Sequence, residues 1–405
     1  MALSDIKLDD LKYEMEDDAR AGARIKVIGV GGAGCNTVAR IAAEGLKGVE
    51  FYALDTDLQA LNACGAPNKL QLGAKMTKGL GAGGNAELGK EAALEMTANI
   101  SELLHGADMV FVAAGLGGGT GTGAAPIISN LAREMGALTI AVVYKPFRYE
   151  GKWRMRVADD GLGRLASSLD TVISIPNDRL MSLAPKGASF VAGLKITDDV
   201  LRQAVQGISD IMVTPGLINR DFADIKAVMG GMGYAVLGTA IAHGENAALE
   251  AARAAISSPL LEDCRISGSR GILMNVTFSS ELSMQAMDQA AMVIYEAAEN
   301  DDAQVIFGAT LDESLGDSVK VTVIATGFHP EAFKPIGELR AEIATQIRRV
   351  EMQAPPAPTP VQPQQPAPLQ SMPPMEPDPE IEAEPMLDLD DLDTPAYLRQ
   401  GRLLN

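Results

Sequence analysis

Histidine, cysteine and tryptophan are nearly missing: the 405 residues contain three, three and one of them. The cysteines stand at 35, 64 and 264, odd in number and far apart, so no disulfide framework is implied. So few histidines and cysteines also leave no metal cluster spelled out. Positive charge is scarce, with 34 Lys+Arg against 53 Asp+Glu and a net charge of −19. A general nucleic-acid binder needs a basic footprint to displace counterions, and adsorption to anionic lipid needs one too, so both classes are excluded. Long apolar runs are absent: nothing approaches the roughly 20 residues that span a bilayer. The opening stretch MALSDIKLDDLKYEMEDDAR is charged and has no apolar signal core. The expectation is a soluble cytoplasmic protein with no nucleic-acid partner and no direct membrane insertion. At 47% hydrophobic residues an ordinary core can form, and the length suits two or three domains.

Composition changes near residue 350. The last 55 residues hold 13 of the 22 prolines and carry a net −8 of the total charge. From 351 to 386 the text is Pro, Gln, Ala and acid, which buries too little to offset chain entropy and is expected to be a disordered, reach-extending linker. Apolar anchors return in Leu387, Leu389, Leu392, Tyr397 and Leu398. Residues 387–405 therefore read either as a peptide that partners dock or as a frayed terminus.

Between these ends strands alternate with helices. Strands are expected at 24–30, 49–54, 108–113, 137–144 and 171–175, and helices at 36–43, 86–104 and 124–135. That alternation predicts an α/β fold with a doubly wound, mostly parallel sheet, whose ligands sit at the carboxyl ends of the strands. A long helix at 197–212, stopped by Thr214-Pro-Gly216, would join it to a smaller α/β part. There a helix from Phe222, strands at 271–278, 304–308 and 319–326, and a helix at 283–299 are expected.

Three glycine loops follow the first strands. Gly29-Val-Gly31-Gly-Ala-Gly34 matches GxGxxG, and Asp55 ends the next strand, which together read as a dinucleotide fingerprint. A nicotinamide oxidoreductase is the first hypothesis on that ground. Gly79-Leu-Gly-Ala-Gly-Gly-Asn85 and Gly115-Leu-Gly-Gly-Gly-Thr-Gly-Thr-Gly123 weaken it. Backbone N–H groups and helix N-termini after such loops suit phosphates, and three loops on one edge fit a triphosphate better than one pyrophosphate. No GxxxxGK[ST] occurs, so this is not a Walker-type site; charge neutralisation falls to backbone dipoles, Mg²⁺ and cations such as Arg154.

The run Gly117-Gly-Gly-Thr-Gly-Thr-Gly123 resembles the signature of the tubulin/FtsZ family. The likeness continues in order through IKVIGVGGAGCN (25–36), DTDLQAL (55–61), KGLGAGGN (78–85), KPFRYEGKWR (145–154), IPND (175–178), PGLINRDFAD (215–224) and ISSPLLED (256–263), and the terminal DTPAYLRQ resembles the family's tail peptide. The resemblance implies a polymer-forming GTPase of bacterial cell division. It implies GTP and GDP as ligands, Mg²⁺, and a head-to-tail homopolymer. It also implies membrane-tethering and regulatory division proteins held through 387–405, at a midcell ring on the inner face of the membrane.

By the same resemblance Gly31, Gly32, Ala33, Gly34, Cys35 and Asn36 form the first nucleotide loop. Asp55 and Thr56 flank the second, and Gly81, Ala82, Gly83 and Gly84 make the third. Gly117, Gly118, Gly119, Thr120, Gly121, Thr122 and Gly123 wrap the α- and β-phosphates. Glu150 holds ribose, Arg154 reaches the nucleotide edge, and Asn177 and Asp199 take ribose and guanine. Asn219, Asp221 and Asp224 would act from the neighbouring subunit on the water and γ-phosphate; alone, Asp221 and Asp224 read as a helix cap and a first-turn acid. The metal ligands stay unassigned. A non-hydrolysing scaffold is the reading from another class, and the Asn219/Asp221/Asp224 set speaks against it.

The implied division is an N-terminal extension (1–23), a GTP-binding domain (24–196), a connecting helix (197–214) and a polymerisation domain (215–330). A connecting segment (331–350), the linker (351–386) and the tail peptide (387–405) follow. Cys35, Asp55, Leu194 and Arg220 depart from the family's usual residues. They bear on the first loop, one sugar contact, base stacking and the acidic loop respectively. Trp153, beside Arg154, reads as a surface or interface aromatic.

Overall fold

An interior parallel strand must be apolar on both faces, and Ile25–Val30 (β1) is buried at every position in the computed structural model. The described residues are 23–46, 48–183, 189, 193, 199–200, 202–209, 221–259, 261, 266–280 and 282–328. Among them Val49–Asp55 (β2), Asn68–Gln71 (β3), Met109–Gly115 (β4), Leu138–Lys145 (β5) and Thr171–Pro176 (β6) all run parallel to β1. The order β3-β2-β1-β4-β5-β6 places the reversal of winding between β1 and β4, where a doubly wound sheet binds its ligand.

Alternate side chains feed two cores, one on each face. Val27, Phe111 and Ala113 join one side with Val38 and Ile41 of Gly31–Glu44 (α1). Ile28, Val110 and Val112 join the other with Ala86–Glu95 (α4), Thr97–Leu104 (α5), Thr120–Glu134 (α6) and Lys152–Ser168 (α7). The short helices Leu58–Ala63 (α2) and Ala74–Thr77 (α3) flank β3, and Asn177–Leu183 (α8) follows β6.

The central helix α9 is helical at 199–200 and 202–209. Its Ala204, Val205 and Ile208 are buried with Leu237, Leu273 and Ile324 of the second half, so it packs as a joint. That half holds Phe222–Met229 (α10), Gly233–His243 (β7), Ala247–Ile256 (α11), Gly271–Phe278 (β8), Met284–Ala298 (α12), Gln304–Leu311 (β9) and Ser318–Thr326 (β10). β7 pairs in parallel with the start of β6, Thr171–Ile173 against Gly233–Ala235, so the ten strands among the described residues form one sheet. β10 lies antiparallel between β7 and β8, and α11 and α12 cover the third core.

Several expectations shift. The single helix at 86–104 is two, broken at Met96 (φ −102°, ψ 16°). Helices α1 and α6 start at Gly31 and Thr120, inside the glycine loops rather than after them. No expectation covered β3, α2, α3, α7, β7 or α11. The ends of the expected 197–212 helix, the turn at 214–216, Leu194, Asn219, Arg220, Cys264 and the segments 1–22 and 329–405 lie outside the described residues.

Two glycines explain how α6 meets α4. A methyl at Gly89 would stand 2.5 Å from the Gly119 carbonyl oxygen, and one at Gly123 would strike the Ala86 carbonyl. The helices cross backbone to backbone, and that crossing fixes the Gly117–Gly119 turn. Gly89→Ala is expected to cost about 1–3 kcal/mol through overpacking. Urea unfolding checks it: the midpoint falls while the slope of the transition stays unchanged.

Candidate nucleotide site

The loops after β1, β2, β4 and β5 open on one cleft of about 650 Å³, within the size range of small-ligand and cofactor sites. Two helices point their N-termini into it. Neither α1 nor α6 has a side-chain cap, so their first-turn N–H groups keep no capping partner. Uncapped helix ends with their dipoles aimed into a cleft attract anions. Glycine permits the approach at Gly31, which has φ +71° and where a methyl would lie 2.8 Å from the Gly121 nitrogen. Side chains brace the loops from behind. The Gly117 N–H donates to Thr122 Oγ1 at 2.9 Å. The Thr56 and Thr120 hydroxyls pair at 2.6 Å, tying the end of β2 to the start of α6. Asn85 caps α4 by accepting from Glu87 and Leu88, which anchors the third loop.

Gly31, Gly32, Ala33, Asn36, Asp55, Gly81, Ala82, Gly83 and Gly84 all line the cleft. So do Gly118, Gly119, Thr120, Gly121, Glu150, Arg154 and Asn177. Gly34, Cys35, Thr56, Gly117, Thr122 and Gly123 sit behind that lining, as packing or bracing residues. Cys35 shows this best: its thiol is buried and donates to the carbonyls of Gly29 and Leu54. Burial pushes that thiol far up, and the nearby Asp55 charge and Cys64 add to the shift. Asp199 is not among the residues that line the cleft; it lies on α9, where its Oδ1 is 3.2 Å from Arg202 Nε, and Arg202 also reaches Glu44 at 3.0 Å.

Glu150 ends a 3₁₀ turn, accepts from the Phe147 N–H at 2.9 Å and pairs with Arg154. Asn177 opens α8, and its buried Oδ1 has no hydrogen-bond partner, which leaves an acceptor for a ligand N–H or O–H. Trp153 is exposed, and its ring edge would meet a methyl on Gly84 at 3.7 Å, so it borders the third loop. The motifs did not single out Arg40, Asp57, Leu116, Tyr144 or Pro146, which also line the cleft. Tyr144 and Asp57 had a usable signal, since both stand at or just past the carboxyl end of a strand.

Asp221 and Asp224 are elsewhere. Asp221 precedes α10 and Asp224 lies in its first turn, and neither lines the cleft. Two residues on, Lys226 Nζ donates to the Gly136 carbonyl at 3.1 Å, in the turn that feeds the start of β5. Likewise Gly231 N–H donates to Asp170 Oδ1 at 3.2 Å, just before β6. Helix α10 therefore borders the amino edge of the parallel strands, and the cleft lies at their carboxyl edge. Eight residues of β5 put about 25 Å between those edges.

Known proteins match this architecture. The description "Tubulin/FtsZ family, GTPase domain" fits residues 24–185, and "FtsZ family, C-terminal domain" fits residues 233–329. The chain belongs to the tubulin/FtsZ family. It is 47% identical over 355 residues to the cell division protein FtsZ of Pseudomonas putida, covering 88% of each chain. With the cell division protein FtsZ of Pseudomonas aeruginosa it shares 50% over 324 residues, 80% of this chain and 82% of that one. Among solved structures it resembles an empty FtsZ dimer of M. jannaschii, with a TM-score of 0.71, 40% identity, and 80% of this chain and 93% of that one covered. The tubulin/FtsZ domain makes the chain a GTPase that binds GTP and GDP. The nicotinamide reading drawn from GxGxxG is thereby set aside in favour of a guanine nucleotide.

Gly118 offers a clean probe, because a methyl there meets nothing within 4 Å and the residue faces the cleft. Gly118→Asp puts a carboxylate beside the cleft-facing N–H groups of this loop, with open space for its Cβ. The expected result is loss of GTP binding by about a hundredfold or more, from like charge in a weakly screened cleft, with an unchanged melting temperature. Equilibrium titration with a fluorescent GTP analogue, beside a thermal melt, checks both.

Proposed function

We propose that this GTPase of bacterial cell division completes its catalytic site only between two copies stacked head to tail. One observation carries the reading: the nucleotide cleft and the Asp221/Asp224 pair lie on opposite edges of the same sheet. No rotation of a side chain closes about 25 Å. A second copy, stacked along the strand direction, brings its amino edge to the first copy's open cleft. A contact between two different faces that does not close on itself generates a filament.

In that contact the residues divide the work. The glycine loops and the ends of α1 and α6 hold the phosphates, Glu150 and Arg154 the ribose side, and Asn177 a guanine or sugar donor. Asn219, Asp221 and Asp224 of the neighbouring copy position and polarise water at the γ-phosphate. Phosphoryl transfer is catalysed mainly by positioning and electrostatics, so a divided site suffices. Mg²⁺ would supply positive charge beside the phosphates when bound. Hydrolysis removes the γ-phosphate from the interface and so weakens the contact that produced it. The partition into a GTP-binding domain, a connecting helix and a polymerisation domain at 24–196, 197–214 and 215–330 belongs to the same reading.

GTP turnover per molecule is expected to rise steeply with protein concentration above a threshold, and a flat specific activity would contradict the shared site. Asp224→Ala is expected to keep GTP binding and lose about 10²–10³ in turnover, as for loss of one stabilising group. Loss of binding instead would move Asp224 into the cleft and end the division of labour.

For residues 387–405 we infer attachment to membrane-tethering and regulatory division proteins at a midcell ring. The net −8 of the last 55 residues disfavours direct contact with anionic lipid. Removing 387–405 is expected to leave GTPase activity and light scattering by polymers intact while abolishing capture of the tethering proteins in a pull-down. Undiminished capture would contradict the inference.

A further inference from the structure

Helix α10, which begins just after Asp221 and carries Asp224, is eight residues long, and an isolated helix of that length is marginal in water. Its hold on the sheet therefore decides where its acids stand. Ile225, Val228 and Met229 are buried, while Asp221 is exposed and Asp224 half-buried, so one end is anchored and the other presented. The last carbonyls of a helix have no partner inside it. On α10 two of them are taken by threonines from different strands. Thr171, the first residue of β6, donates its hydroxyl to the Met229 carbonyl. Thr326, the last residue of β10, donates to the Val228 carbonyl at 2.9 Å and has the Gly271 carbonyl at 3.2 Å. A hydroxyl has one proton to give. Thr326 divides its proton between α10 and the start of β8, whereas Thr171 gives its own to Met229.

The turn after the helix is held as well. Asp170 Oδ1 accepts from the Gly231 N–H at 3.2 Å, and its Oδ2 from the Thr139 N–H at 2.9 Å. Gly271 opens β8 without a side chain, and a methyl there would stand 2.7 Å from Val228 Cγ1, so α10 lies directly on the strand ends. Neither threonine lines the nucleotide cleft, and both are 0% exposed. Valine has nearly the same shape; what threonine adds is a directional bond to the end of the helix. About 8 Å of helix separates Met229 from Asp224, so a tilt at the anchored end is carried to the acids. A reacting group misplaced by about 1 Å can lose about a hundredfold in rate. Strand β6 starts at Thr171, under this helix, and delivers Asn177 to the cleft, so one strand spaces the two edges.

We propose that Thr171, supported by Thr326, is a positioning residue for GTP hydrolysis: its hydroxyl sets the angle at which α10 presents Asp221 and Asp224 to the next copy's nucleotide. This rests on the head-to-tail reading of the site.

The test compares Thr171→Val, which keeps the shape and loses the donor, with Thr171→Ser, which keeps the donor and loses a methyl group. Each full-length variant is assayed for GTP turnover at saturating nucleotide above its assembly threshold, for KM, for binding of a fluorescent GTP analogue and for its urea midpoint. Thr171→Val is expected to bind GTP as wild type does, with KM unchanged, and to lose about 10–100-fold in turnover per assembled subunit. Thr171→Ser is expected to turn over GTP at close to the wild-type rate, even though the lost methyl lowers its urea midpoint. Thr326→Val is expected to lower turnover in the same direction with binding intact, and it carries the test if Thr171→Val does not fold. Wild-type turnover in both valine variants would overturn the proposal. So would equal losses in Thr171→Ser and Thr171→Val, or losses that follow the urea midpoint, since packing alone would then explain them. Asp224→Ala is the control: if it keeps wild-type turnover, the head-to-tail reading itself fails, whatever the threonines do.

Discussion

A parallel sheet has two unlike edges, and this protein's chemistry depends on their staying apart. Carboxyl ends of strands carry the loops that turn into helix N-termini, so that edge gathers N–H groups and attracts phosphate. The amino edge receives the chain returning from the helices, and α10 arrives there with its acids. Because both edges belong to one rigid set of hydrogen-bonded strands, their separation does not vary with side-chain motion. On the proposed division of the site, assembly follows the strand direction and catalysis is a property of a contact between copies.

The cleft is kept in shape by close backbone packing. Gly89 and Gly123 let α4 and α6 meet without side chains between them, and the pairing of Thr56 with Thr120 ties β2 to α6. The glycine-rich loops are therefore held from behind by hydrogen bonds and helix crossings, which keeps N–H groups aimed into the cleft before a ligand arrives. Preorganisation of that kind is what lets fixed dipoles replace a Walker-type lysine.

Much of this was legible in the residues alone. β4 could be placed because an interior strand needs an unbroken apolar run, and β1 and β8 because theirs are interrupted only by Lys26 and by Asn275 and Thr277. The three glycine loops stood out because close backbone approach and positive φ leave few other choices. The start of α6 was hidden: Thr-Gly-Thr-Gly has poor helix propensity, and only packing on α4 makes it helical. Helix α7 was hidden by its charges and its two glycines, Gly161 and Gly163. Strand β7, rich in Ala and Gly, carries no clear two-residue alternation. Within the cleft, Arg40 was missed because it belongs to no motif, and Leu116 and Pro146 because, inside their motifs, neither carries a polar side chain that marks it as a ligand contact. Asp199 had no signal of its own in the residues: its role came only from the resemblance, and on α9 its carboxylate pairs with Arg202.

Complementation between two inactive variants tests the shared site most directly. Gly118→Asp spoils the cleft and leaves the acidic edge whole, while Asp224→Ala does the reverse. Each alone is expected to hydrolyse GTP barely above background. Mixed, they form contacts in which an intact cleft faces an intact acidic edge, and a substantial fraction of the activity is expected to return, rising with the concentration of either partner. A mixture no more active than the sum of its parts would show that each molecule needs both halves on its own chain, and would contradict the account.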